Sequence, residues 1–185
     1  ILINNAGISI FSPFEERDFE DFMNVFKVNT GGTFLCIKEG SKLMREMSTK
    51  GSIINIGSIY GIVSGDPRIY TDCARNTPEC YGASKAALIN LSESLYLDFK
   101  RYNVRVSLIS PGFIKTPMTD KNNFKMPFIK SAEFAAEKIY KGLIKSKAFE
   151  ITFPKELTIM LKILRILPYW KYFYLISKLT KLQKR

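Results

Sequence analysis

Four short apolar runs, each followed by small or turn-forming residues, recur along the chain. They occupy residues 1–4, 51–56, 104–109 and 149–153, and Pro111-Gly112 follows the third run. Each run is continuous rather than alternating, which is typical of strands that are covered on both faces in a parallel sheet. The pattern therefore predicts four strands, of which the last is short.

Amphipathic stretches separate these runs and predict helices. An acidic stretch from 14 to about 26 follows Ser12-Pro13, a sequence that favours a helix start. Residues 31–47 predict a second helix or a continuation of the first, and 81–101 and 131–146 predict two more. Strands that alternate with helices favour an α/β protein with a parallel sheet.

The segment between Ser58 and Glu79 breaks this alternation. It contains Gly61, Gly65, Pro67 and Pro78, so it is predicted to be a loop. A loop of this length inside a compact domain is often functional.

Residues 155–185 are both apolar and basic. They include eight Lys or Arg residues and one acidic residue, so +7 of the net charge of +11 lies there. Pro168 divides the stretch into two segments, and Tyr169-Trp170 and Tyr172-Phe173-Tyr174 follow it. The pattern predicts two basic amphipathic helices of the kind that lie in a membrane interface, with lysine stems reaching towards anionic lipid.

Two other roles for this tail remain open: docking on the body of the protein, or a dimer contact. Nucleic-acid binding is not expected, because the basic residues are interleaved with a wide apolar face. We divide the chain into an α/β domain at 1–153 and a basic helical tail at 154–185.

Composition limits the classes of protein further. The length of 185 residues suits one domain with an appendage, and 46% apolar residues exclude wholesale disorder. No uninterrupted apolar run approaches the roughly 18 residues of a membrane-spanning helix. No segment has the pattern of a secretory signal. We therefore expect a cytoplasmic protein, peripheral at the inner membrane face if the tail binds lipid.

The cysteine and histidine counts bear on candidate chemistry. Without a secretion signal, Cys36, Cys73 and Cys80 are expected to be free thiols, and a disulfide or metal clip between Cys73 and Cys80 is the alternative. The chain has no histidine, which excludes Ser-His-Asp triads and His-dependent zinc sites.

Four polar residues carry the candidate chemistry. Tyr81 and Lys85 are four positions apart and share one helix face, and Ser58 follows the second predicted strand at the end where parallel sheets bind ligands. A nearby ammonium lowers the pKa of a phenol from ~10, which suits Tyr81 to general acid–base catalysis. The Ser58 hydroxyl suits hydrogen bonding to a substrate oxygen. Asn29 suits a water site or a backbone kink that links Lys85 to solvent.

Five motifs that contain these residues follow one another along the chain. They are Asn4-Asn5-Ala6-Gly7, Val28-Asn29-Thr30, Ser58 after Ile54-Asn55-Ile56-Gly57, Tyr81-Gly82-Ala83-Ser84-Lys85, and Pro111-Gly112 with Thr116. In these motifs the chain resembles the short-chain dehydrogenases/reductases over about residues 1–150. The resemblance implies a Rossmann-type, doubly wound parallel sheet. It also implies an NAD(P)-dependent oxidoreductase that interconverts a ketone and a secondary alcohol by hydride transfer.

The same resemblance implies roles for single residues. The catalytic residues would be Asn29, Ser58, Tyr81 and Lys85. Lys85 would also bond the nicotinamide ribose, and Ile114 and Thr116 would approach the carboxamide. The residues that would contact NAD or NADP are Asn5, Ala6, Gly7, Tyr81, Lys85, Pro111, Gly112, Ile114 and Thr116. No metal is implied, and a homo-oligomer through the helices that hold Asn29 and Tyr81 is expected.

The start of the chain departs from the family. No Gly-rich turn precedes Asn4, although in the family this turn seats the cofactor pyrophosphate on a helix N-terminus. The segment that selects NAD or NADP is also missing. We therefore expect a sheet that lacks its first βαβ half, with one exposed edge, and an isolated chain that binds cofactor poorly and is inactive. The alternative is an inactive remnant that associates with a membrane or a partner.

The spacing between Ser58 and Tyr81 is a second departure. It is 23 positions, longer than is common in the family. The polar insertion 66–76 resembles the loop of flagellin-modification and surface-sugar oxidoreductases. Arg68 or Arg75 would then contact a phosphate or carboxylate of an activated sugar, and a solvated surface loop is the alternative. The loop favours a sugar-like substrate and the tail a lipid-like ketone, and the sequence does not rank them.

Overall fold

The computed structural model describes residues 1–47, 50–65, 78–117, 119–120, 126–146 and 148–179. Four strands form one parallel sheet in the order β1-β2-β3-β4. Their bounds are Leu2–Asn4 for β1, Gly51–Ile56 for β2, Val104–Pro111 for β3 and Glu150–Phe153 for β4. The prediction of a parallel α/β sheet is confirmed.

Six α-helices lie in the described part of the chain. They are α1 (Phe19–Phe26), α2 (Thr33–Glu46), α3 (Glu79–Phe99), α4 (Ala132–Lys145), α5 (Lys155–Ile166) and α6 (Tyr169–Leu179). Short 3-10 helices occupy Phe14–Glu16, Ile59–Gly61 and Lys100–Tyr102. Among these described residues, no helix is both long enough and apolar enough to cross a bilayer.

The predicted helix at 14–26 is wrong at its start. After Phe14–Glu16 the backbone is extended at Arg17 and Asp18, with ψ of 119° and 143°, and α1 begins only at Phe19. The buried guanidinium of Arg17 explains the break, since it donates hydrogen bonds to the carbonyls of Ile10 at 2.9 Å and Ser12 at 2.7 Å.

Helix α1 then continues into α2 without a break. The connection is a π-helix at Lys27–Gly32, so the second predicted helix is a continuation of the first. A π turn inserts one extra residue into the helical hydrogen-bond pattern and is often found at functional sites.

Helices cover both faces of the sheet. On one face, Ile53 and Val106 pack with Ile37 of α2 and Phe99 of α3. The opposite face contains the neighbouring strand residues Ile54 and Ile109, which pack with α4. Consecutive residues of a strand point to opposite faces, so a continuous apolar run contributes side chains to the apolar clusters on both faces of the sheet.

A third apolar cluster joins the C-terminal helices to the turn after β2. Leu157, Leu161 and Leu164 of α5 and Tyr172 of α6 pack with Ile59 and Val63. At the other end of the sheet, β1 pairs only with β2 among the described strands, and Ile1 and Ile3 are exposed. The division of the chain at 153/154 stays a prediction.

Candidate active site

Three chain segments meet at the carboxyl edge of the sheet. β1 ends at Asn4 before Asn5, Ala6 and Gly7, β2 ends at Ile56 just before Ser58, and β3 ends at Pro111 before Gly112. Because these strands are parallel neighbours, the segments that follow them lie side by side. The sequence-predicted site residues of all three segments therefore border one edge.

Ser58 is held by the turn that it begins. Its hydroxyl oxygen accepts a hydrogen bond from the Tyr60 N–H at 3.1 Å and caps the 3-10 helix Ile59–Gly61. The Ser58 O–H remains available as a donor, because a hydroxyl carries one donor beside its acceptor lone pairs. An interaction with this hydroxyl lowers the pKa of the Tyr81 phenol. The predicted serine and tyrosine are therefore neighbours at this edge of the sheet.

Tyr81 and Lys85 lie on the first and second turns of α3, which begins at Glu79. The buried Lys85 Nζ donates a hydrogen bond to the Ile56 carbonyl at 2.7 Å and lies 5.8 Å from the centroid of the Tyr81 ring. Lys85 therefore ties α3 to the end of β2, where Ser58 follows.

The pKa of Tyr81 contradicts the sequence-based expectation. Burial raises this pKa above the ordinary value of a phenol, and the hydrogen bond with Ser58 offsets the rise only in part. Burial also lowers the pKa of Lys85 from 10.5 to about 8. The prediction that Lys85 lowers the pKa of Tyr81 is wrong because loss of solvent outweighs an ammonium that is turned to the Ile56 carbonyl.

Asn29 lies inside the π-helix and is fully buried. Its amide oxygen accepts from the Ile8 N–H at 2.8 Å, and its Nδ2 donates to the Ile8 carbonyl at 3.0 Å and to the Ser84 hydroxyl at 2.9 Å. Ser84 in turn donates to the Tyr81 carbonyl at 2.8 Å. Asn29 thus joins the segment after β1 to the helix of Tyr81 from within the π turn. A water site or a backbone kink at Asn29 that links Lys85 to solvent stays a prediction.

Gly7 lies between Asn29 and Lys85. A Cβ at this position would be 3.5 Å from both Asn29 Oδ1 and Lys85 Nζ. Gly7 places no side chain beside this buried amine, at the edge where parallel sheets bind nucleotides. An ammonium has three donors, of which Ile56 takes one, so the other two suit a ligand rich in hydroxyl groups. The residues present fit the nicotinamide-ribose half of NAD or NADP.

The segment after β3 is shaped by a threonine that sequence reasoning missed. The Thr119 hydroxyl donates to the Ile114 carbonyl at 2.7 Å and accepts from the Thr116 N–H at 2.9 Å. Ile114 also bridges to Lys130, and the Gly112 N–H donates to the Phe153 carbonyl at 2.8 Å. These bonds fix the path of the predicted cofactor-contacting residues.

Sequence reasoning also missed Arg17 and Ser84. Arg17 Nε lies 2.6 Å from Glu79 Oε1, outside hydrogen-bond geometry, and this ion pair connects the segment 10–12 to the start of α3. For Ser84 a signal existed, since it stands within Tyr81-Gly82-Ala83-Ser84-Lys85. For Arg17 no local pattern distinguishes it from a solvated arginine.

Other candidates contribute no chemistry among the residues that the structure describes. Cys36 and Cys80 are free thiols, as expected, and burial raises the pKa of Cys80 so that its reactive thiolate is disfavoured. Within the described ranges no group of three His, Cys, Asp or Glu side chains could hold a metal ion. Cys73, Arg68 and Arg75 lie outside the described residues.

Comparison with known proteins identifies the family of the chain. The family model for short chain dehydrogenase matches residues 1–127. D-arabinitol 2-dehydrogenase (ribulose-forming) of Candida tropicalis is 38% identical over 120 residues, which cover 64% of this chain and 39% of that protein. The NADP-dependent (R)-specific alcohol dehydrogenase of Lentilactobacillus kefiri is 38% identical over 121 residues, 64% of this chain and 44% of that protein.

A solved structure of a short chain dehydrogenase from Leptospira borgpetersenii with bound NAD+ is also similar. It is 41% identical and superimposes with a TM-score of 0.59 over 76% of this chain and 48% of that one. The chain spans about two fifths of the length of the curated relatives it matches. Because the family match extends over residues 1–127 of 185, the chain belongs to the short chain dehydrogenase family.

Proposed function

We propose that this protein is an NAD(P)-dependent oxidoreductase that interconverts a ketone and a secondary alcohol. The observation that carries the proposal is the hydrogen bond from Lys85 Nζ to the Ile56 carbonyl, which holds the helix of Tyr81 and Lys85 against the strand end that Ser58 follows. An interaction with Ser58 that lowers the pKa of Tyr81 agrees with this arrangement. Two relatives support it, since one is named as an arabinitol dehydrogenase and the other as an alcohol dehydrogenase.

The cofactor is NAD or NADP, which accepts or supplies the hydride when bound. Its ribose is proposed to bind where Gly7 adjoins Lys85, and the segment from Pro111 to Thr116 follows β3 at the same edge of the sheet. We assign its binding to Asn5, Ala6, Gly7, Tyr81, Lys85, Pro111, Gly112, Ile114 and Thr116. One relative is named as NADP-dependent and one similar structure holds NAD+, so both cofactors remain in the proposal.

Proton transfer follows from the raised pKa of Tyr81. At neutral pH the phenol is protonated, so Tyr81 is ready to donate its proton to the carbonyl oxygen while the carbonyl carbon is reduced. The Ser58 O–H donates a hydrogen bond to the same oxygen as negative charge develops there. Alcohol oxidation is the reverse and needs the phenolate, so it is expected to gain from higher pH. Asn29 supports reprotonation by holding the segment after β1 against α3.

The substrate is proposed to be a small carbonyl or alcohol compound, sugar-like or lipid-like. The insertion that favoured a sugar lies outside the described residues, whereas the apolar C-terminal helices that favour a lipid pack beside Ile59, next to Ser58. We further propose a homo-oligomer through α2 and α3. The location proposed is the cytoplasm, with 155–185 at the inner membrane face.

The experiment that tests the reaction is a pair of tyrosine variants. Tyr81→Phe removes the transferable proton, so the rate of carbonyl reduction should fall by about 10²–10⁴, the usual contribution of general acid catalysis. Binding of NADH or NADPH, followed by cofactor fluorescence, should change little. Tyr140→Phe, at an exposed tyrosine of α4, is the matched control and should leave the rate unchanged.

The result that would overturn the proposal is equal turnover in Tyr81→Phe and the wild type. The alternative, a non-catalytic chain that associates with a membrane or partner, predicts no turnover and no cofactor binding for either protein. The observation that favours this alternative is that β1 pairs only with β2 among the described strands, which leaves its other edge exposed. Because the isolated chain is itself expected to bind cofactor poorly, the variants are compared in the form of the protein that binds NADH or NADPH, and turnover in that form excludes the alternative.

A further inference from the structure

Helix α5 is apolar on two opposite faces. Leu157, Leu161 and Leu164 are buried in the cluster with Ile59 and Val63. On the far side, separated by three or four positions, three isoleucines are exposed: Ile159 at 54%, Ile163 at 58% and Ile166 at 83%. A surface helix normally has one apolar stripe, which it buries. The second stripe is therefore not explained by packing among the described residues.

Helix α6 continues this exposed apolar surface with aromatic residues. Its buried side consists of Tyr172, with Leu175 and Ile176 partly buried against the same cluster. The exposed aromatic residues are Tyr169, Trp170, Phe173 and Tyr174, all between 59% and 69% exposed. Both helices bury one stripe in a single cluster, so their exposed stripes face away from the body of the protein. We call these exposed apolar residues of α5 and α6 the outer face.

Basic residues border the outer face and contact its aromatic rings. Arg165 donates to the Tyr169 hydroxyl at 3.0 Å, and Lys171 Nζ lies 5.1 Å from the centroid of the Trp170 ring. Lys155 and Lys178 add further positive charge, whereas Lys162 is paired with Glu150. Glu156 is the single acidic residue of the two helices. Aromatic rings beside cationic groups are the composition that suits the boundary between lipid tails and head groups.

A second copy of the chain, the body of the protein and a lipid bilayer could each cover the outer face, and the basic residues at its border favour the bilayer. In a two-fold dimer through this face, each basic border would meet its own copy, and like charges would be brought together. The body of the protein is already in contact with the opposite stripes. We therefore propose that the outer face of α5 and α6 docks on the surface of a bilayer that contains anionic lipid. The apolar side chains enter the interface and the basic groups meet the head groups.

The proposed orientation relates the membrane to the candidate active site. The cluster under α5 and α6 includes Ile59 and Val63, and Phe113 packs against it. Ile59 follows Ser58 directly, so one helix layer, about 10 Å thick, separates the outer face from the turn that holds Ser58. Lipid docking does not require hydride transfer, so this inference and the proposed function can fail independently.

Trp170 makes the proposal directly measurable, because it is the only tryptophan of the chain and lies on the outer face. The whole chain is mixed with vesicles of phosphatidylcholine alone or with added phosphatidylglycerol. With the anionic vesicles, Trp170 emission should shift to shorter wavelength and become protected from an aqueous quencher, and the protein should sediment with the lipid. Neutral vesicles should bind at least several-fold less protein.

Two variants of the outer face and two matched controls on α4 complete the test. Phe173→Ser should lower the partition coefficient about tenfold. Lys171→Glu should lower it about fivefold or more, because each basic residue near an anionic surface adds roughly that factor. Ile144→Ser and Lys138→Glu replace an exposed isoleucine and an exposed lysine of α4 and should leave binding unchanged.

Three results would overturn the proposal. The first is emission from Trp170 that stays unchanged with anionic vesicles. The second is equal loss of binding in the α4 controls, which would indicate attraction by net charge alone. The third is an oligomer of the wild type, detected by sedimentation in the absence of lipid, that dissociates in Phe173→Ser. The outer face would then be a contact between copies of this chain.

Discussion

Tyr81 and Lys85 titrate in opposite directions because burial disfavours the charged form of each group. For Tyr81 the charged form is the phenolate, so its pKa rises, and for Lys85 it is the ammonium, so its pKa falls to about 8. Near pH 7 the folded chain thus contains a neutral phenol and a buried ammonium. Burial of the Lys85 ammonium lowers the free energy of unfolding, and this effect can be measured.

The first prediction concerns the pH dependence of stability. Between pH 8 and 10.5 the unfolded chain retains the proton of Lys85 and the folded chain has released it, so the free energy of unfolding rises with pH. Lys85→Met removes this titration. The free energy of unfolding of the wild type minus that of Lys85→Met should rise by roughly 3 kcal/mol across this range, at about 1.4 kcal/mol per pKa unit.

Urea unfolding at a series of pH values measures this difference. Tyr81 is present in both proteins, so its own titration cancels. Lys100→Met, which replaces an exposed lysine, should show no such rise. A difference between the wild type and Lys85→Met that stays constant with pH would show that Lys85 is not desolvated as the structure indicates.

At this scale the sequence predicted which residues meet, and it did not predict their charge states. Four-residue spacing places Tyr81 and Lys85 on one helix face, and a serine just after a strand lies at the ligand edge. The direction of the Tyr81 pKa depends on how much solvent α3 and the 59–61 turn exclude together. That quantity comes from tertiary packing, which the spacing of two residues does not encode.

At the scale of elements, the site depends on a close contact between the turn after β2 and helix α3. A Cβ on Gly61 would lie 2.8 Å from the Lys85 carbonyl carbon, 2.9 Å from its oxygen and 2.7 Å from Ile89 Cδ1. Two of these atoms belong to a helix backbone, which cannot move aside as a side chain does. Gly61 therefore sets how closely Ser58 approaches Tyr81.

The second prediction is that Gly61→Ala separates the turn from α3. Overpacking of this kind costs about 1–3 kcal/mol, so the free energy of unfolding should fall by that amount. Gly31→Ala is the matched control, since its Cβ would lie 3.7 Å from the Phe26 carbonyl oxygen, an ordinary contact. Alanine in a helix is favoured over glycine by up to ~1 kcal/mol, so this variant should be neutral or stabilising.

Urea unfolding measures both alanine variants, and the distance between Ser58 and Tyr81 can be followed through the pKa of Tyr81. In Gly61→Ala the hydrogen bond with Ser58, which lowers that pKa, should weaken, so the pKa should rise further. Equal stability of Gly61→Ala and the wild type would mean that the turn is not pressed against α3.

The sequence predicted a helix or strand correctly where its local pattern determines it. The prediction failed where contacts with residues distant in the sequence determine where a helix begins. The four strands and α3 follow from apolar runs and from leucines at helical spacing. The start of α1 does not, because Arg17 leaves the helix to reach Ile10, Ser12 and Glu79. An acidic amphipathic stretch after Ser12-Pro13 predicts a helix, and nothing in that stretch indicates a buried arginine.

At the scale of the whole molecule, exposed apolar residues lie on more than one surface, and the surface formed by α5 and α6 is rich in basic residues. The basic excess of the sequence lies in 155–185, beyond the four-stranded sheet, while α2 and α3 expose apolar residues on another surface. Phe34 and Leu35 of α2 and Leu97 of α3 are each more than half exposed. The periodicity of apolar residues predicted the helix α3. It did not predict that Leu97 would be exposed, because that depends on how α3 packs.

The last prediction is that α3 takes part in self-association. Leu97 is 76% exposed, and burial of such a side chain between two copies would contribute about 1.5–3 kcal/mol. Leu97→Glu places a charge opposite its own copy in a two-fold contact, so the mass measured by light scattering should fall to that of one chain. Ile144→Glu on α4, where the isoleucine is 68% exposed, is the control and should leave the mass unchanged. A mass that Leu97→Glu does not alter would exclude α3 from the interface between copies, whereas equal loss in both variants would indicate non-specific association through exposed apolar residues.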